Sequence, residues 1–124
     1  MAVDPRGADL KRYLAEDPGG PVVMLNLLRF RPDDGRERYA EYVEHFNRTA
    51  KPYGARTVYA GDGSTALVAE DGQAWDAVLL VEYPSRQAFA DMVRDQEYQQ
   101  GTQLRTQALT EAVLQATVRW EPTT

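Results

Sequence analysis

Val22-Val23-Met24-Leu25-Asn26-Leu27-Leu28-Arg29-Phe30 is apolar at nearly every position. That is the pattern of a β-strand covered on both faces, and it sets this segment at the centre of a sheet rather than at its edge. The run is interrupted by a single amide, Asn26, and is too short to span a bilayer. A buried amide must find a hydrogen-bond partner, a water or a ligand, or cost several kcal/mol. The central strand therefore fixes the fold class and also marks the first candidate for a site.

Reading toward the C-terminus, Asp33-Asp34-Gly35 supplies turn and capping groups, and Tyr39, Tyr42, Val43, Phe46 and Ala50 then recur at spacings of three and four. This is an amphipathic helix ended by Pro52 and Gly54. Residues 55–60 and 65–69 read as extended, bent at Gly61-Asp62-Gly63 and closed by the Asp71-Gly72 turn, making one bent strand or two short ones. Residues 75–83 form a second long apolar strand stopped by Pro84. Ser85 caps a helix with Phe89, Met92 and Val93 on its inner face. Residues 95–98 read as a short helical turn, Leu104, Ala108 and Leu109 continue helically, and residues 112–120 alternate as a last strand with Ala112, Leu114, Ala116, Val118 and Trp120 on one face.

Toward the N-terminus, residues 9–16 suit a short helix with Leu10, Tyr13 and Leu14 on one side, broken by Asp17-Pro18-Gly19-Gly20-Pro21. Residues 1–20 thus form an extension ahead of one domain spanning residues 21–120. The order β-α-β-β-α-β is the split βαβ arrangement of an α+β, ferredoxin-like fold, with helices covering one face of a four-stranded antiparallel sheet. Strands apolar on both sides need a second cover. A second copy of the sheet supplies it, so the expectation is a homodimer in which two sheets pack as an α+β barrel.

A chain of 124 residues with 43% hydrophobic and 27% charged side chains builds one folded domain. Its net charge of -5 repels phosphate backbones and anionic membranes, so neither nucleic acid nor membrane is an expected partner. The chain contains no cysteine, which excludes disulfides, thiolate nucleophiles and cysteine metal sites and agrees with a reducing compartment. With no signal-peptide pattern near Met1, the expected location is cytoplasmic.

Several residues carry possible chemistry. Asn26 shares its face with Met24 and Leu28, so one side of the strand mixes apolar surface with one amide, as small-molecule pockets do. An Asn satisfied by backbone or a fixed water is the plain alternative. Trp75 can wall a pocket and Asp76 can act as base or acceptor at its rim, or the two are core filler and a solvated turn acid. Glu82 reads either as a buried acid with a raised pKa or as the ion-pair partner of Arg105. His45, the only histidine, flanks Tyr42 on the first long helix, off its apolar stripe, where a solvated ring is the ordinary outcome. One histidine excludes multi-histidine metal centres, no carboxylate ligand spacing is present, and no nucleophile elbow accompanies it for a serine triad. No metal and no cofactor is expected. On the last strand Gln115 and Thr117 either join Asn26 in one cavity or face solvent.

Met24-Leu-Asn-Leu-Leu-Arg-Phe30, Glu82-Tyr-Pro-Ser85, Asp95-Gln-Glu-Tyr98 and Arg105 occur in the order seen in the DUF1330 family, which this chain resembles from about residue 21 to residue 117. The resemblance implies a dimeric α+β barrel, a superfamily with cofactor-free monooxygenases, lactone isomerases, polyketide cyclases and heme-degrading monooxygenases, so the fold alone selects no chemistry. Heme-degrading members use an Asn on the first strand, a Trp on the third and a His on the second main helix. Asn26 and Trp75 match in kind, but residues 85–94 hold no histidine and His45 is on the other helix. The resemblance therefore implies a cofactor-independent route: Asn26 orients a phenol or enol, Asp76 or His45 removes its proton, and Trp75 walls a flat substrate. A non-catalytic ligand-binding or stress-associated homodimer, and a purely structural dimer with a filled interior, are the alternatives.

Overall fold

The computed structural model describes residues 3–120. Its elements are α1 (Gly7–Ala15), β1 (Val22–Phe30), α2 (Gly35–Thr49), a 3-10 turn (Lys51–Tyr53), β2 (Arg56–Asp62), β3 (Ala77–Tyr83), α3 (Arg86–Arg94), α4 (Gln96–Gln99), α5 (Thr102–Ala108) and β4 (Leu109–Thr117). The strands form one sheet in the order β2-β3-β1-β4, and every pairing is antiparallel. This is the ferredoxin-like α+β fold read from the sequence, with β1 at its centre.

Pairing register assigns each side chain to a face. Met24 stands opposite Val81 and Ala116, Asn26 opposite Leu79 and Leu114, and Leu28 opposite Ala77 and Ala112. Side chains alternate along a strand, so these residues share the face on which the helices pack. There Val22, Met24, Leu28, Val81 and Tyr83 meet Tyr39, Tyr42, Phe89, Met92 and Tyr98 in one buried core. The opposite face carries Val23, Leu25 and Leu27 from β1, Val78 and Leu80 from β3, and Val113 from β4. No element of the described chain lies over it.

Local chemistry sets the helix boundaries. The Ser85 hydroxyl accepts a hydrogen bond from the Ala88 N–H at 3.0 Å, starting α3. The Asp95 carboxylate accepts from the Glu97 and Tyr98 N–H groups at 2.8 and 3.2 Å, starting α4. Gly54 closes the 3-10 turn at φ 79°, a left-handed conformation that side chains resist.

Three sequence expectations are corrected. Residues 65–69 form no strand, because β2 already occupies the edge of β3 from Ala77 to Glu82. Leu67 and Val68 are consequently 91% and 97% exposed. The last strand starts at Leu109 and ends at Thr117, since α5 passes directly into it and β1 offers no partner beyond the Val23–Thr117 pair. Trp75 and Asp76 precede β3 rather than opening it.

The N-terminal helix packs on the domain. Tyr13 meets Phe89 edge-on at 5.6 Å, the Arg86 guanidinium lies 4.6 Å over the Tyr13 ring, and Val3, Leu10 and Tyr13 pack against the core. Arg86 Nη1 also donates to the Tyr13 carbonyl at 2.6 Å. Among the described residues no helix is long and apolar enough to cross a membrane.

Candidate functional site

The sheet and helices do not close completely on each other. Between them lies a cavity of about 480 Å³ whose sheet wall is Met24, Asn26, Thr57, Leu79, Val81 and Leu114. Tyr39, Tyr42 and Phe46 from α2, Phe89 and Met92 from α3, Tyr98, and Arg105 from α5 form the opposite wall. The volume is that of a small-molecule pocket. It lies within the single chain, on the helix side of the sheet.

Asn26 is 8% exposed, and its hydrogen bond among the described residues is a long one, Nδ2 donating to the Met24 carbonyl at 3.4 Å. A bond at that length leaves most of the amide's capacity unused. Across the cavity the Tyr42 and Tyr98 hydroxyls are 2.9 Å apart. Burial pushes the Tyr42 phenol well above its ordinary range, and the nearby Tyr98 adds to this. Burial raises Tyr98 too, against the bond from Tyr42 and the Arg105 charge. Tyr39 is pushed by burial up to about 12, again opposed by Arg105. These phenols are neutral donors at physiological pH.

Arg105 is 7% exposed, and Nη1 donates to the Val3 carbonyl. The same nitrogen lies 3.6 Å from the Asp4 carboxylate, while Nη2 is buried with no partner among the described residues. Glu82, expected as a buried acid or as the partner of Arg105, sits on the opposite sheet face. It pairs with Arg56 at 2.6 Å and Arg119 at 3.5 Å, and the bond from Arg56 holds its carboxyl below the usual range.

The sequence candidates divide between the cavity and the rest of the fold. Met24, Asn26, Tyr42 and Arg105 line it, and Leu28 is fully buried in the core on the same face. Gln115 and Thr117 alternate out of phase with Leu114, so they lie on the face opposite Asn26; the Thr117 hydroxyl donates to the Val23 carbonyl at 2.7 Å. The Asp76 carboxylate accepts from the Phe30 N–H at 2.9 Å and its own N–H donates to the Leu28 carbonyl at 2.8 Å, tying the end of β1 to the start of β3. Trp75 stacks under the Arg29 guanidinium at 4.5 Å. His45 is half-buried outside the cavity lining, its Nε2 2.9 Å from the Tyr98 carbonyl oxygen, and its ring fills the space that a Cβ on Gly101 would need. Among the described residues no three His, Asp or Glu side chains gather as a metal site would require.

Sequence reasoning did not single out Tyr39, Tyr98 or Asp4. The available signal was a helix stripe of phenols rather than aliphatics, because each buried hydroxyl needs a partner.

A comparison with curated proteins finds no match. The crystal structure of the RPA0582 protein of Rhodopseudomonas palustris, a protein of unknown function, is 31% identical, with a TM-score of 0.89 over 97% of this chain and 98% of that one. So complete a coverage includes α1. A dimeric ferredoxin-like protein of unknown function from Jannaschia sp. shares the fold at 10% identity, with a TM-score of 0.62 over 81% of this chain and 100% of that one. A Bacteroides thetaiotaomicron protein, described as a candidate antibiotic biosynthesis monooxygenase, does so at 15% identity, with a TM-score of 0.58 over 84% and 93%. The family model for a domain of unknown function, DUF1330, matches residues 32–117, starting after the Met24–Phe30 motif. With well over half its length matched, the chain belongs to the DUF1330 family.

Proposed function

We propose that the cavity between sheet and helices binds a small, flat, partly apolar molecule. The observation that carries this reading is a partly open space walled mainly by aromatic and aliphatic side chains, with Asn26, the Tyr42–Tyr98 pair and the Arg105–Asp4 pair among its polar groups. An Asn with unused hydrogen-bonding capacity suits a carbonyl or hydroxyl on the ligand. The open apolar sheet face supports a homodimer built on that face, as do the dimeric neighbours of the same fold. The absence of cysteine supports a cytoplasmic location.

A cofactor-independent monooxygenase, isomerase or cyclase is the second reading. It is supported by the convergence of Asn26 with a paired phenol, a set that can hold a developing enolate oxygen, and by the monooxygenase description of the Bacteroides neighbour. The structural bonds of Asp76 and His45 outside the cavity lining favour binding without turnover. Titrating hydroxyquinones and anthrone-like compounds while following oxygen uptake separates the two. Wild-type protein binds members of the panel, and Asn26→Ala loses about tenfold in affinity, the worth of one well-placed polar contact. Oxygen consumption with those compounds supports the enzyme. Failure of every compound to bind contradicts the cavity reading itself.

A further inference from the structure

Arg105 is the one cationic group of the cavity lining, only loosely paired with Asp4, and its surroundings indicate what the ligand carries. A guanidinium presents five donors in a planar fork and never releases its proton under ordinary conditions. Burying it costs several kcal/mol unless acceptors replace the lost water. Here the side chain is 8% exposed, Nη1 is taken by the Val3 carbonyl, and Asp4 is 3.6 Å away with its own side chain 48% exposed. That separation exceeds a charge-assisted hydrogen bond of about 2.7–2.9 Å. Asp4 is also held by the Thr106 hydroxyl, 3.1 Å from both carboxylate oxygens. Nη2 remains buried without an acceptor. Cationic capacity therefore stands at the wall of a largely apolar, aromatic cavity, where Asp4 is the one acidic lining residue and the other polar ones, Asn26 and the phenol pair among them, are neutral.

We infer that the ligand is a small planar monoanion, an aromatic or conjugated carboxylate or enolate. Its charged oxygen takes Nη2 of Arg105, and its ring lies among Tyr39, Tyr42, Leu79 and Met92. The inference rests on the reading of the cavity as a ligand site. Asp4 occupies the ligand's electrostatic place only in part, and an incoming carboxylate competes with it for the same cation. With Nη1 already engaged by the Val3 carbonyl, the ligand oxygen takes Nη2 in a single contact rather than a grip on both terminal nitrogens.

The test is calorimetric titration of the dimer with charged and neutral twins of one shape: benzoate, salicylate and 1-naphthoate against benzamide, salicylamide and 1-naphthamide. At least one carboxylate binds about tenfold or more tightly than its amide, and Arg105→Gln brings the pair to equal affinity. Asp4→Asn, which removes the competing anion and leaves the cavity wall intact, strengthens carboxylate binding and leaves amide binding unchanged. Should Arg105→Gln fail to fold, the wild-type twins and Asp4→Asn still decide the matter. Equal affinity for carboxylate and amide in the wild type overturns the anion assignment while leaving the cavity reading standing. Carboxylate affinity undiminished in folded Arg105→Gln overturns it as well. No binding by any of the six compounds overturns both.

Discussion

Asn26 and the Tyr42–Tyr98 pair contribute to the site in different ways. The phenol pair is satisfied at 2.9 Å inside the protein, so its removal is felt in stability. Tyr42→Phe leaves the Tyr98 hydroxyl buried with one partner fewer and lowers stability by about 1–3 kcal/mol. Adding Tyr98→Phe recovers part of that loss, because two apolar edges replace one orphaned donor; a double-mutant cycle by urea unfolding measures the coupling, and strictly additive losses contradict it. Asn26 is hardly satisfied, so Asn26→Leu keeps or raises stability by about 1 kcal/mol while ligand affinity falls, a combination read by thermal unfolding beside titration. The sequence exposed Asn26 because an amide inside an apolar run is conspicuous in one dimension. Arg105 was a candidate in the sequence, but its facing the cavity, like that of Tyr98, came only from packing: α4 and α5 are four and seven residues long, and no periodicity shows which side of such short helices faces the cavity.

At the scale of elements, β1 positions most of what matters. Its even-numbered side chains build the cavity wall and core, and its odd-numbered ones build the open face. Both apolar sets were legible, which is why the central place of β1 followed from the sequence. The connection between β2 and β3 was not legible, since Thr65-Ala66-Leu67-Val68-Ala69 looks like a strand but has no free edge of β3 to join. Arg29 holds this connection instead: its Nη1 donates to the Ala74 carbonyl, Nη2 to the Gly72 carbonyl at 2.9 Å, and Nε to Glu111 at 3.1 Å, with Trp75 stacked against it. Arg29→Ala removes these together and costs about 2 kcal/mol, given donors only partly shielded from water. Hydrogen exchange then accelerates at residues 72–76 first; uniform acceleration across the sheet contradicts this local role.

At the scale of the whole molecule, two faces of one sheet divide the work. The helix side holds the cavity, and the open side carries Leu25, Leu27, Val78, Leu80 and Val113, the face on which we propose that a second copy packs. Leu25→Glu and Leu80→Lys each bury a charge in that contact and shift the protein from dimer to monomer in analytical ultracentrifugation; an unchanged dimer places the interface elsewhere. The buried phenols make the molecule sensitive to alkali. Tyr39, Tyr42, Tyr83 and Tyr98 all stand above the ordinary phenol value of 10.0, chiefly through burial. A raised folded-state pKa contributes stability in full below the unfolded value, and that stability is lost as pH climbs through the folded values, about 12 for Tyr39. Phenolate absorbance from the buried set accordingly rises together with loss of near-ultraviolet circular dichroism above pH 10; ionisation with the dichroism intact contradicts it. The central claim, that the space under the helices is a ligand site with Asn26 at its polar wall, is tested most directly by nuclear magnetic resonance of the protein saturated with an aromatic ligand from the binding panels. The account predicts intermolecular contacts from the ligand to the Leu79, Met92 and Tyr42 side chains and a shifted Asn26 side-chain amide, whereas contacts confined to Leu25, Leu80 or Val113 on the open face would contradict it.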